Sequence, residues 1–215
     1  IANGRKKSFY ASSEDAVEVF SEAWEWERKS SKNLTMGDDE LDALGDTGRK
    51  MIDTLNRQWL EDDILNVNKA FIVRLPGASK PLIGEIDLIV RDEHGEIALV
   101  DWKTAARKWP VGKADKDLQA TCFTYAWNEL SGHIPAFRYD VVTKTKTPVY
   151  VQYPTVRGED DFERLLVLVE VVERAIQAEA FFPNANFGCG DCPFGSACES
   201  WHRNHARTIS VSKAA

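Results

Sequence analysis

The stretch from Leu82 to Lys103 constrains the fold more than any other, because two apolar runs with strand periodicity each deliver charge at a defined place. In residues 82–91, Ile86, Leu88 and Val90 share one face and leave Glu85 and Asp87 on the other. The second run, Ile97-Ala98-Leu99-Val100, gives way to Asp101-Trp102-Lys103, so Asp101 and Lys103 project together while Val100 and Trp102 point the opposite way. Between the runs, Asp92-Glu93-His94-Gly95 is a polar turn ending in glycine, which predicts a β-hairpin. Antiparallel pairing then brings Asp87 near Asp101. Buried charge is costly unless paired or metal-bound, so two carboxylates and an ammonium at one strand end are a candidate working site. Hard oxygen ligands in that number suit Mg²⁺ or Mn²⁺, which bind few protein carboxylates and complete their shells with water and phosphate. Lys103 is placed to orient a water or to neutralise charge developing on phosphorus.

These residues resemble the PD-(D/E)XK nuclease superfamily, in particular its RecB-like branch. Gly84-Glu85-Ile86-Asp87 is similar to the branch's Gly-x-Ile-Asp motif, and Val100-Asp101-Trp102-Lys103-Thr104 to its Asp-x-Lys-Thr motif. Gln119 falls where a Gln-x-x-x-Tyr motif is carried, with Phe123 at the Tyr position and Tyr125 two residues later. Cys189-x-x-Cys192-x-x-x-x-x-Cys198 resembles the triple cysteine of the branch's iron–sulfur members. The resemblance covers residues 40–200. It implies an α/β fold, a central mixed β-sheet flanked by helices as in restriction endonucleases, followed by a C-terminal cysteine-rich metal-binding loop. It also implies metal-dependent hydrolysis of DNA, exonucleolytic at single-stranded or free ends, with Asp87, Asp101, Lys103 and Gln119 as the catalytic set. The ion is then held by Asp87, Asp101 and the backbone carbonyl of Trp102, with Glu85 as a possible supplement. DNA repair, recombination, CRISPR or phage DNA processing are the implied settings, and a helicase or another repair or CRISPR protein is a possible partner. The chain departs from the pattern twice. Residues 44–52 carry no histidine, only Lys50 near that place, and residues 66–71 offer amides and a lysine where a glutamate is common. An inactive nuclease-fold DNA-binding or scaffold module, stabilised by an iron–sulfur or zinc site, is therefore the alternative.

Four cysteines in 215 residues, with no apolar signal segment and no run long enough to span a bilayer, predict a soluble cytoplasmic protein without disulfides or membrane association. Cys189, Cys192 and Cys198 lie in a loop whose glycines and proline allow it to wrap a metal. Zinc is one possibility, through Cys189, Cys192, Cys198 and His202. The other is a [4Fe-4S] cluster, which ordinarily takes four thiolates and which the resemblance favours. In the resembled nucleases the fourth thiolate lies near the N-terminus. This sequence begins at Ile1 and has no cysteine before Cys122, so it reads as a fragment with that ligand upstream. Cys122, within an apolar helical run, reads as a small buried thiol.

With 43% hydrophobic residues, seven Trp and ten Phe, the chain can bury a sizeable core. Helices are expected over residues 12–30, where Ala16, Phe20, Ala23 and Trp24 recur at helical spacing, and from about residue 40 to residue 60. Strands are expected at 70–75, 82–91 and 96–103, a helix at 114–130, strands at 137–142 and 148–153, and a long helix over 158–181. The expected organisation is a helical region at 1–62, a nuclease core at 63–182 and a cysteine-rich loop and tail at 183–215. Net charge of −7 sits poorly with a nucleic-acid partner, but a phosphate channel needs only a basic lining. After the proposed site, Arg107, Lys108, Lys113 and Lys116 face only Asp115 and are the candidate DNA contacts, with Trp102 and Trp109 as candidate base-stacking platforms. Arg5, Lys6, Lys7, Arg203 and Arg207 are weaker basic patches.

Overall fold

The computed structural model describes residues 12–31, 35–58, 63–91 and 94–205. The chain divides into two compact units, Ile1–Val167 and Leu168–Ala215. In the first, α1 (Ser13–Ser30) and α2 (Asp38–Gln58) precede β1 (Asp63–Val73), β2 (Leu82–Arg91) and β3 (Ile97–Ala105); α3 (Leu118–Ser131) then leads to β4 (Ala136–Thr143) and β5 (Tyr150–Thr155). The sheet order is β1-β2-β3-β4-β5. Every pair is antiparallel except β3–β4. A parallel pair needs a crossover connection, and α3 supplies it. This is the restriction-endonuclease-like α/β arrangement, a mixed five-stranded sheet flanked by helices.

One sheet face is apolar through Ile64, Leu88, Val90, Ala98 and Val100, and Leu55 of α2 packs on it together with Val67 and Trp102. The other face meets α3, where Phe123 approaches Phe137 of β4 at 6.2 Å and Phe71 of β1 at 5.4 Å. On α2, Gly45 and Gly48 lie so close to Trp24 and Phe20 of α1 that neither has room for a Cβ. The aromatic stripe of α1 is thus a packing surface.

Element boundaries differ from the sequence expectations where local chemistry decides them. β1 begins at Asp63, not near residue 70, because polar Asn66, Asn68 and Lys69 hide a strand that shifts register between Ile64 and Asn66. The helix expected from residue 114 starts at Leu118: Ala114–Lys116 is a 3-10 turn, and the Asp117 side chain caps α3 by accepting from the Gln119 N–H. α4 (Glu159–Gln177) ends before residue 181, next to Glu179 in the left-handed region at φ 52°. The start of the β2–β3 turn, residues 59–62, Arg5, Lys6, Lys7 and Arg207 lie outside the described residues. Among the described residues no helix is long and apolar enough to cross a membrane.

Candidate active site

The β2–β3 ladder runs from Arg91↔Ile97 to Leu88↔Val100 and stops. Asp87 and Asp101 are the next residues on each strand. Beyond them β2 pairs only with β1, while β3 continues against β4 as far as Ala105↔Thr143. Splayed strands leave backbone groups without a ladder partner, and one is taken locally: the Trp102 N–H donates to Asp87 Oδ2 at 2.8 Å. On β1, Asn68 falls between the pairs Val67↔Leu88 and Lys69↔Ile86, opposite Asp87, with φ 51°. Asparagine tolerates this left-handed conformation better than most residues.

Asp101 is 2% exposed. Its Oδ1 accepts from Gln119 Nε2 at 2.6 Å, and its Oδ2 is ion-paired with the Lys103 ammonium two positions along the same face. Burial pushes the Asp101 carboxyl above its ordinary range and the negative charge of Asp87 pushes the same way, while Lys103 and Gln119 pull it back. Lys103 keeps a third of its side chain exposed and lies 5.9 Å from the ring of Tyr139, the β4 register partner of Asp101. Thus the structure brings Asp87, Asp101, Lys103 and Gln119 together. Glu85 is exposed in the part of β2 that pairs only with β1, and Lys50 is exposed on α2.

Arg107, Lys108, Lys113 and Lys116 are exposed in the segment joining β3 to α3. The two tryptophans are not free platforms, and that expectation is corrected. Trp102 packs on the apolar sheet face. Trp109 rests against Tyr139 at 5.0 Å and Tyr153 at 5.5 Å, with the Lys113 ammonium 4.0 Å from its ring. Its backbone N–H donates to the Tyr153 hydroxyl at 2.9 Å, so Trp109 anchors the basic segment to the sheet. Sequence reasoning also missed Asn68, Asp117, Tyr139 and Arg157. Only Asp117 had a legible signal, an N-cap residue directly before an apolar helical run.

In the second unit, Cys189 lies in a 3-10 turn (Phe187–Asp191) and Cys198 in α5 (Gly195–His205). Among the described residues no three His, Cys, Asp or Glu side chains converge to hold an ion, so the expected cage of Cys189, Cys192 and Cys198, with or without His202, is not assembled. Within this turn Cys189 Sγ accepts from the Asn186 N–H at 3.2 Å, and Asn186 Oδ1 accepts from the Gly188 N–H at 2.8 Å. Cys122 is partly buried, and desolvation pushes its thiol up.

A family model described as the PD-(D/E)XK nuclease superfamily matches residues 5–199. The chain belongs to this superfamily. Among solved structures, a candidate exonuclease from Eubacterium rectale is similar over 95% of this chain and 77% of its own, at 14% identity and a TM-score of 0.50, which is agreement in fold. SSO0001 is similar over 84% of this chain and 95% of its own, at 10% identity and a TM-score of 0.44. No curated protein matches. PD-(D/E)XK nucleases usually use divalent metals such as Mg²⁺. The donor set here fits such an ion, because Asp87 and Asp101 offer hard oxygens where the strands part and Mg²⁺ needs only one or two carboxylates.

Proposed function

We propose that this PD-(D/E)XK chain is a Mg²⁺- or Mn²⁺-dependent deoxyribonuclease, an exonuclease acting on single-stranded or free DNA ends in repair, recombination, CRISPR or phage DNA processing. The observation that carries the reading is the convergence on Asp101: a buried carboxylate held by Gln119 on one oxygen and by Lys103 on the other, at the point where β2 and β3 part, which it shares with Asp87. Asp87, Asp101 and the Trp102 carbonyl hold the ion. When bound, a divalent cation lowers the pKa of coordinated water and neutralises charge on the phosphate. Lys103 steadies the attacking oxygen or the negative charge that grows on phosphorus, and being partly exposed it can reach a substrate phosphate. Gln119 fixes the orientation of Asp101. Arg107, Lys108, Lys113 and Lys116 contact the DNA backbone. Exonucleolytic action is supported by the RecB-like motifs and by the fold shared with a candidate exonuclease.

End-labelled single-stranded DNA, blunt duplex and covalently closed circular DNA test the reading, each with Mg²⁺, with Mn²⁺ and with EDTA. Release of mononucleotides or short products from linear substrates, dependent on the cation and absent with circles, is the expected result. Cleavage of circles would replace the exonuclease by an endonuclease. Binding without cleavage under every condition would favour the inactive scaffold.

A further inference from the structure

Arg157 is 7% exposed, yet its guanidinium bonds to no carboxylate among the described residues. All of its acceptors are neutral oxygens. Nε donates to Thr121 Oγ1 at 2.8 Å, Nη1 to Thr155 Oγ1 at 2.6 Å and to the Val156 carbonyl at 2.8 Å, and Nη2 to the carbonyls of Ala114 at 2.9 Å and Asp117 at 3.0 Å. A buried cation without a carboxylate is costly. The location compounds the cost, since Asp117 and Thr121 bracket the first turn of α3, where the helix dipole disfavours positive charge. A methionine or leucine would fill similar space without that charge, so the geometry of the planar fork is what distinguishes arginine here.

The bonds show what the fork holds. Thr155 and Val156 belong to β5 and the residue after it, whereas Ala114, Asp117 and Thr121 belong to the turn before α3 and to the helix itself. The turn is tied a second time by Thr155 Oγ1 donating to Asp115 Oδ1 at 2.8 Å. Arg157 therefore fastens the N-terminal end of α3 to the far edge of the sheet. Gln119 sits between the cap residue Asp117 and Thr121 of α3, both of which Arg157 grips, and its side chain spans to Asp101 at 2.6 Å. A helix end free to shift would carry Gln119 out of hydrogen-bonding range of Asp101.

We propose that Arg157 is a positioning residue for the cleavage site, acting through α3 to hold Gln119 against Asp101; as a statement about catalysis this rests on the nuclease reading above. The first measurement is independent of activity. In ¹⁵N-labelled protein the Gln119 side-chain amide, assigned by its disappearance in Gln119→Leu, is compared between the parent and Arg157→Met. The expected result is a downfield, exchange-protected amide proton in the parent that moves to the position of a solvated glutamine in Arg157→Met. If Arg157→Met does not fold, Arg157→Lys takes its place, keeping charge while losing the fork. The second measurement is a kinetic cycle. Arg157→Met should lower kcat about tenfold or more, as misplacement of a site group does, with KM for DNA nearly unchanged, and should cost nothing further in a Gln119→Leu background. An unmoved Gln119 amide in a folded Arg157 variant, or equal losses in both backgrounds, overturns the proposal. A parent chain that cleaves nothing while its Gln119 amide responds to Arg157 would overturn the nuclease reading and leave the positioning role standing.

Discussion

Burying a carboxylate in the middle of β3, where β2 parts from it, costs stability unless neighbours return it, and for Asp101 the hydrogen bond from Gln119 and the ion pair with Lys103 return only part, since its carboxyl remains shifted upward. The sign follows from linkage. The folded chain holds the Asp101 proton more tightly than the unfolded chain, so the penalty is absent below the ordinary carboxyl range, grows as pH rises towards the elevated folded value, and is complete above it. Asp101→Asn is therefore expected to raise Tm at neutral pH by a few degrees while abolishing cleavage. Mn²⁺ should raise Tm in the parent, where it binds only the folded state, and leave the variant unmoved. A variant less stable than its parent in calorimetry would show that the carboxylate is structural. Lys103→Ala, by contrast, removes the ammonium from a partly exposed position, so the fold and most DNA affinity should survive while kcat falls by about 100-fold or more. Single-turnover cleavage beside fluorescence anisotropy separates the two effects, and undiminished turnover would remove Lys103 from the site.

Gly84 shows how an element is placed by a residue that does no chemistry. It stands opposite Phe71, and a Cβ there would meet the Phe71 ring at 2.6 Å, while that ring lies edge-on to Phe123 of α3. A side chain at Gly84 must push either the β1–β2 hairpin or the helix that carries Gln119. Gly84→Val should destabilise by about 1–3 kcal/mol, the usual cost of overpacking, and should lower kcat as well. Urea midpoints check the first part, and an unshifted midpoint would mean that Phe71 turns aside freely. The same contrast explains what was legible. The hairpin could be read because alternation along Ile86, Leu88 and Val90 reflects burial of one face, and the acidic residues stand on the opposite face where the β2–β3 ladder stops. β1 could not be read in full, because its polar middle is set by a register shift and the left-handed Asn68, both dictated by pairing with β2. Nor could the fates of Trp109 and Arg157. Each is decided by residues more than 25 positions away, Tyr139 and Tyr153 for one and Thr121 with Ala114 for the other, and no local pattern announces such contacts.

A chain of net charge −7 repels DNA at long range, so association must depend on where its cations lie. Acidic residues gather at helix starts, Glu14 and Asp15 on α1, Asp38, Asp39 and Glu40 on α2, and Glu159, Asp160 and Asp161 on α4. There they favour the helix dipoles. Between Lys103 and α3 the balance reverses, and the segment is anchored by Trp109. Exposed cations on an anchored backbone lose less freedom on meeting phosphate than cations on a free loop. Arg107→Ala, Lys108→Ala and Lys116→Ala combined should leave Tm unchanged, since none of the three takes part in the Trp109 cluster. Affinity for single-stranded DNA, measured with Ca²⁺ in place of Mg²⁺ to suppress turnover, should fall. The decisive quantity is the salt dependence. Removing one phosphate-neutralising cation lowers the slope of log K against log salt by about 0.7 for a single strand, so removing all three should flatten it by about 2. Weaker affinity with an unchanged slope would mean that these residues act on something other than phosphate, and would send the DNA path along a different face of the sheet.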